Sequence, residues 1–222
     1  MSDRLLIFDF DGVIADSEVV SNAVLADELT ALGMPTTIDD ALHLYMGKRW
    51  ADCLTAIEVN WDRPLPADFR ARCDAGVRLR TVTEIGTVPG VVGFLDGLGS
   101  SPRCVASSSA PDWLLTNLVR FGLAHHFGDR LFSAAVHVQR GKPHPDLFLY
   151  AATEMAADPA RAIVIEDSAT GVMAGAAAGM TVIGLCAGSH IRAGHANKLR
   201  SAGANHVVDS YAALAQVIAA LD

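Results

Sequence analysis

A chain of 222 residues, 51% of them hydrophobic, is long enough to bury a sizeable core as one domain or two modest ones. Its net charge of −8 argues against a broad basic surface for nucleic acid, and no stretch reaches the roughly 18 apolar residues of a membrane span. The four cysteines (Cys53, Cys73, Cys104 and Cys186) are scattered without a Cys-x-x-Cys pair, so neither a zinc site nor a disulfide framework is expected, and a cytoplasmic location is.

The first element is Leu5-Leu6-Ile7-Phe8, an apolar run that ends abruptly in Asp9-Phe10-Asp11-Gly12-Val13. Such a run reads as a buried strand of a parallel sheet, breaking into a loop at its carboxyl end, where open α/β sheets bind their ligands. A helical block follows. Asp16 or Ser17 is placed to cap a helix over 19–32, which Gly33 ends, and shorter helical stretches run over 38–45, 51–59 and 67–83, the last rich in arginine. No strand is expected between Asp16 and Ile85. Long insertions at the carboxyl end of a sheet are commonly lids, with hinges here expected near 14–16 and 85–89.

From Val88 onward the pattern alternates. Helix 91–98 leads to strand 103–106 and the loop Ser107-Ser108-Ser109, and Pro111 opens a helix through Phe121. Strand 129–133 and the loop Gly141-Lys142-Pro143 precede helix 146–156. Strand 162–165 ends in Glu166-Asp167-Ser168, then come helix 170–178, strand 181–185, helix 196–202, strand 206–208 and helix 211–221. This order calls for right-handed crossovers and an α/β, doubly wound parallel sheet. The core is expected from 1–15 and 86–222, with 16–85 as an inserted α-helical cap domain.

Four polar clusters thus fall at strand ends or helix starts: Asp9 with Asp11, Ser107, Lys142, and Glu166 with Asp167. In that order they resemble the four motifs of the haloacid dehalogenase-like superfamily, specifically its phosphohydrolases with a helical cap after the first strand. The resemblance covers essentially the whole chain. It implies a Rossmann-like core and a phosphatase acting on a small phosphorylated metabolite, with no nucleic-acid or membrane partner, as a monomer or small homo-oligomer.

The chemistry of each cluster agrees. The Asp9 carboxylate can attack phosphorus to give an aspartyl-phosphate, splitting one hard displacement into two. Mg²⁺ would relieve the repulsion between carboxylate and phosphate, and it favours oxygen ligands. Asp9 and Asp167 are the expected side-chain ligands, with the Asp11 main-chain carbonyl as a third, and Glu166 is placed around the same ion, holding ligand or water from behind. Asp11, brought round by a turn at Gly12, is the general acid and base. Ser107, the Ser108 amide and Lys142 are expected to bind the phosphoryl group.

Asp11 argues against carbon–halogen chemistry, which does not use this second acid. Asp16-Ser17-Glu18 and Gln139-Arg140-Gly141-Lys142-Pro143 resemble the sugar-phosphate phosphatases and the β-phosphoglucomutases. The mutases carry a histidine in the first cap helix. Here the corresponding position is near Ser21 and no histidine lies between Asp11 and Leu42, so mutase activity is the alternative rather than the expectation. The stretches 16–21, 129–140 and 166–179 resemble bacterial 6-phosphogluconate phosphatase-like proteins, which implies a sugar or sugar-acid phosphate as substrate. Lys48 and Arg49 are candidates for a second anionic group on it. A non-catalytic receiver-like module is disfavoured, because such modules are shorter and place the accepting aspartate after a later strand. His125, His126, His137 and His144 are assigned surface or loop roles, His190 and His195 no role, and the tryptophans packing.

Overall fold

A three-residue strand, β1 (Leu6–Phe8), forms the middle of the sheet because every one of its side chains is apolar and both of its faces are covered. The computed structural model describes residues 4–46 and 50–221. In chain order β1 is followed by helices α1 (Glu18–Ala31), α2 (Ile38–Leu44), α3 (Trp50–Trp61), α4 (Phe69–Glu84) and α5 (Val91–Gly97). Next come β2 (Arg103–Ser107), α6 (Pro111–Arg120), α7 (Ala124–Phe127), β3 (Leu131–Ser133), α8 (Ala134–His137) and α9 (Asp146–Glu154). The chain ends with β4 (Ile163–Glu166), α10 (Ala169–Ala177), β5 (Thr181–Leu185), α11 (His195–Ser201), β6 (His206–Val208) and α12 (Tyr211–Leu221). The four-residue helices α7 and α8 were not expected, since a single turn leaves no periodicity to read.

All pairings are parallel and the strand order is β3-β2-β1-β4-β5-β6. The chain therefore winds outward from β1 through β2 to β3, then returns to lay β4 on the other side of β1. The reversal falls between β1 and β4, and it is there that doubly wound sheets hold their ligands. Registers Phe8↔Val105 and Phe8↔Ile165 set the ends of β1, β2 and β4 side by side, with β2 continuing to Ser107 and β4 to Glu166.

The alternation of a strand divides the core. Leu5 and Ile7 join Cys104, Ala106, Val164 and Val182 on one face, packed against Leu147, Phe148 and Ala151 of α9 and Val172 of α10. On the other face the Phe8 ring meets Phe127 and Phe94 edge-on, at 5.9 and 6.2 Å. Gly179 closes α10: its φ of +73° lets its own N–H reach Ala176 and the Met180 N–H reach the Gly175 carbonyl.

The chain divides into two compact units, Met1–Ala15 with Thr87–Asp222, and Asp16–Gly86. The second contains no strand among its described residues. Its core is Val24, Leu25, Leu29, Ala41, Tyr45, Cys53, Ile57 and Phe69. Thr37 and Asp40 form a reciprocal capping box on α2. Ser17 occupies the N-cap position of α1, but its backbone is already helical and its hydroxyl makes no capping bond, contrary to the sequence expectation. Cys53, Cys73 and Cys104 are buried and form no disulfide, and burial pushes Cys73 up to about 12. No helix among the described residues is long and apolar enough to cross a membrane.

Helix α10 lies so close to the sheet that a Cβ on Gly175 would come within 2.7 Å of Val182 Cγ2. Gly175→Val should therefore cost about 1–3 kcal/mol through overpacking. Urea unfolding measures this, and an unchanged midpoint would mean that α10 can lift off the sheet.

Candidate active site

Past Phe8 the ladder continues for one more bond, Asp9 N–H to the Ile165 carbonyl at 3.0 Å, and then the chain curls. Gly12 at φ +78° makes that curl possible, with the amides of Ile14 and Ala15 turned back onto the Phe10 carbonyl at 2.8 and 2.9 Å. There is no room for anything but hydrogen at Gly12: a Cβ would fall 1.9 Å from Asp167 Oδ2. The β1 and β4 loops are thus pressed together at the switch point.

Between them stands Lys142, brought in by the loop before α9. Its Nζ donates to Asp9 Oδ1 and to Glu166 Oε1, each at 2.7 Å, in a buried setting. The flank of that loop is tied by a two-pronged contact of Arg140 with Asp146, at 2.9 and 2.7 Å, too exposed to add much stability. Glu166 has no exposed surface, and its Oε2 accepts from the amide and the hydroxyl of Ser168, both at 2.9 Å. Gly171, where a Cβ would lie 1.6 Å from Glu166 Oε1, leaves the space for that carboxylate. Asp9, Glu166 and Asp167 each bring an oxygen within 4.8 Å of the others.

The electrostatics follow from three buried acids sharing one ammonium. Burial raises the Asp9 carboxyl well above its ordinary range, against the pull of Lys142, and Glu166 and Asp167 add to the rise. Asp167 is raised for the same reasons, burial first and the Glu166 charge second. Burial works against the Lys142 charge too, but Asp9 and Glu166 together outweigh it and hold the ammonium protonated above its ordinary value. The site is short of positive charge. An all-oxygen donor set with surplus negative charge, cradled against a glycine, fits a hard divalent cation such as Mg²⁺. Asp9 and Asp167 are the acids best placed to hold it, since both Glu166 oxygens already serve Lys142 and Ser168.

The other expected residues divide. The Asp11 carboxylate accepts from the Ser109 hydroxyl and from Trp113 Nε1, the latter at 3.1 Å, and its charge still adds to the rise of Asp167. Ser109 and Trp113 are partners that the sequence did not disclose; Trp113 is a donor to Asp11 rather than a packing residue alone. Ser107 is buried at the end of β2 and accepts from the Ser109 amide at 3.1 Å, while Ser108 is exposed. Lys48 and Arg49 lie outside the described residues.

Two histidines given no role prove to be part of the site. His190 Nε2 lies 2.9 Å from Asp167 Oδ2, and His195 Nε2 lies 2.6 Å from the Asp167 main-chain carbonyl. Their signal in the sequence was only position, in the segment leaving the carboxyl end of β5. His125 and His126 converge with Asp96, in keeping with the surface roles assigned to them.

Comparison with known proteins identifies the family. The family profile described as haloacid dehalogenase-like hydrolase matches residues 6–185, so the chain belongs to that family. The chain is 30% identical to fructose-1-phosphate phosphatase YqaB of Escherichia coli over 178 residues, 80% of this chain and 94% of that one. It is 25% identical to the 6-phosphogluconate phosphatase of the same organism over 186 residues, 83% of each chain. A conserved haloacid dehalogenase-like protein of unknown function from Agrobacterium tumefaciens, ATU0790, superposes with a TM-score of 0.90 at 34% identity, covering 100% of this chain and 99% of that one. Like the relatives named for an activity, the chain is a phosphatase.

Removing the ammonium should expose how much the acids depend on it. Lys142→Met is expected to destabilise the fold by about 3–5 kcal/mol in chelator, because it strands buried carboxylates without a counter-charge. Urea unfolding gives the value, and a loss below 1 kcal/mol would show that the acids are compensated otherwise.

Proposed function

We propose that this phosphatase hydrolyses a small phosphorylated metabolite, a sugar or sugar-acid phosphate of the 6-phosphogluconate kind, with Mg²⁺ and through an aspartyl-phosphate at Asp9. The observation that carries this is the buried Asp9–Lys142–Glu166 relay, two contacts of 2.7 Å, set beside Asp167 at the switch point. The sugar phosphatases among the relatives support the substrate class.

Lys142 pins one oxygen of Asp9 and so orients the carboxylate as a nucleophile. A bond forms from an Asp9 oxygen to phosphorus as the bond to the leaving oxygen breaks, and Asp11 gives that oxygen its proton. Water then attacks the same phosphorus, its proton passes to Asp11, and the Asp9–phosphorus bond breaks. Ser109 and Trp113 hold the Asp11 carboxylate between these two uses. Ser107, the Ser108 amide and Lys142 receive the phosphoryl oxygens. Asp9 and Asp167, with the Asp11 main-chain carbonyl, would hold Mg²⁺, which when bound would supply charge neutralisation for the meeting of carboxylate and phosphate. We assign substrate selection to the helical unit, inserted in the chain directly after the Asp9–Asp11 loop, with Lys48 and Arg49 as its candidates for a second anionic group.

Phosphate release with Mg²⁺ over a panel of sugar and sugar-acid phosphates tests this. Asp9→Asn should abolish release, and Asp11→Asn should slow it by about 10²–10⁴. Excess chelator should silence the wild type, with recovery on adding Mg²⁺. Wild-type rates in Asp9→Asn, free of contaminating phosphatase, would overturn the mechanism. Conversion of β-glucose 1-phosphate to glucose 6-phosphate without net release would make the chain a mutase instead.

A further inference from the structure

β5 pairs with β4, Gly184 opposite Glu166, so the segment leaving β5 must run beside the loop that carries Asp167. That segment, Cys186 to Gly194, folds His190 inward until its side chain has no exposed surface. Burying an imidazole in a site already crowded with acids costs solvation, and the cost is offset only if the ring finds specific contacts. It has them. Nε2 lies 2.9 Å from Asp167 Oδ2, a close contact whose alignment falls outside that of a hydrogen bond, and the ring meets that of His195 edge-on at 5.8 Å. His195, itself buried, lies with Nε2 2.6 Å from the Asp167 carbonyl oxygen. A carbonyl only accepts, so that nitrogen carries the proton.

The surroundings are shaped to the His190 ring. A Cβ on Gly12 would come within 2.9 Å of its Cε1, and a Cβ on Gly188 within 2.6 Å of Cε1 and 2.7 Å of Nδ1. Two glycines from different loops thus leave space that the imidazole fills. One of them also makes room for Asp167 Oδ2. A ring held on two sides, with one nitrogen on a carboxylate oxygen, restricts the rotation of that carboxylate.

We propose that His190 is a positioning residue for Asp167: by holding Oδ2 it aims the carboxylate at the divalent cation, while His195 fixes the main chain beneath it. The proposal rests on the assignment of Asp167 as a cation ligand made above. Outer contacts of this kind commonly change metal affinity by 10–100-fold when removed.

Calorimetric titration of the substrate-free, full-length protein with Mg²⁺ provides the test. His190→Ala should raise the dissociation constant by about 10–100-fold. His190→Gln, whose amide can offer an N–H near the same place, should recover part of the loss, which a purely space-filling histidine would not require. Gly188→Ala, which keeps the histidine but pushes its ring aside, should reproduce the weakening, and it stands in for His190→Ala if that variant fails to fold. Activity should be lost at limiting Mg²⁺ and rescued by excess. Wild-type affinity in both His190→Ala and Gly188→Ala overturns the proposal and leaves the phosphatase assignment intact. Absence of Mg²⁺ binding by the wild type, or wild-type affinity in Asp167→Asn, overturns the ligand assignment beneath it and the proposal with it.

Discussion

One buried ammonium organises the catalytic end of this sheet. Lys142 stands between Asp9 and Glu166, and without it three carboxylates from two adjacent strand ends would face one another in a place with little water. Like charges at such distances repel strongly, and burial weakens the screening that would otherwise relieve them. The lysine satisfies only part of that excess. The remainder is what makes the cluster a cation site, and it gives the acids different tasks. Glu166 has both oxygens engaged, one on Lys142 and one on Ser168, and serves as the anchor. Asp9 is held by one oxygen.

The backbone is shaped to permit this crowding. Gly12, Gly171 and Gly188 are the points where a side chain would run into Asp167, Glu166 and His190 respectively. They come from the loop after β1, the helix after β4 and the segment after β5, three pieces that only the parallel pairing of β1, β4 and β5 brings together. Close approach of backbone to carboxylate at the switch point thus depends on glycine for both Asp167 and Glu166.

Much of this was legible in the residues alone. The strands are short and largely apolar, β1 and β4 breaking abruptly into acids, and the strand-helix alternation admits few topologies. Asp9, Glu166 and Asp167 were legible because acids at strand ends are out of keeping with a buried run, and Lys142 through its Gly-Lys-Pro loop and its place in the order of the four clusters. The partners of those residues were not. Ser109 and Trp113 look like a loop serine and a packing indole until the fold sets them against Asp11, 98 and 102 positions away. His190 and His195 carry no periodic or spacing signal, since what matters is the neighbour that β5 makes of β4. The helices α7 and α8 escaped for a different reason, being single turns. Contacts made across strands are set by tertiary structure, and local pattern does not encode them.

The most direct test of the division of labour among the acids is a crystal structure of the protein grown with Mn²⁺, with the ion located by anomalous scattering. The account predicts one buried ion held by Asp9 and Asp167, with Lys142 still between Asp9 and Glu166 and the Glu166 oxygens still on Lys142 and Ser168. An ion bound by Glu166, with Lys142 displaced from the cluster, would contradict it.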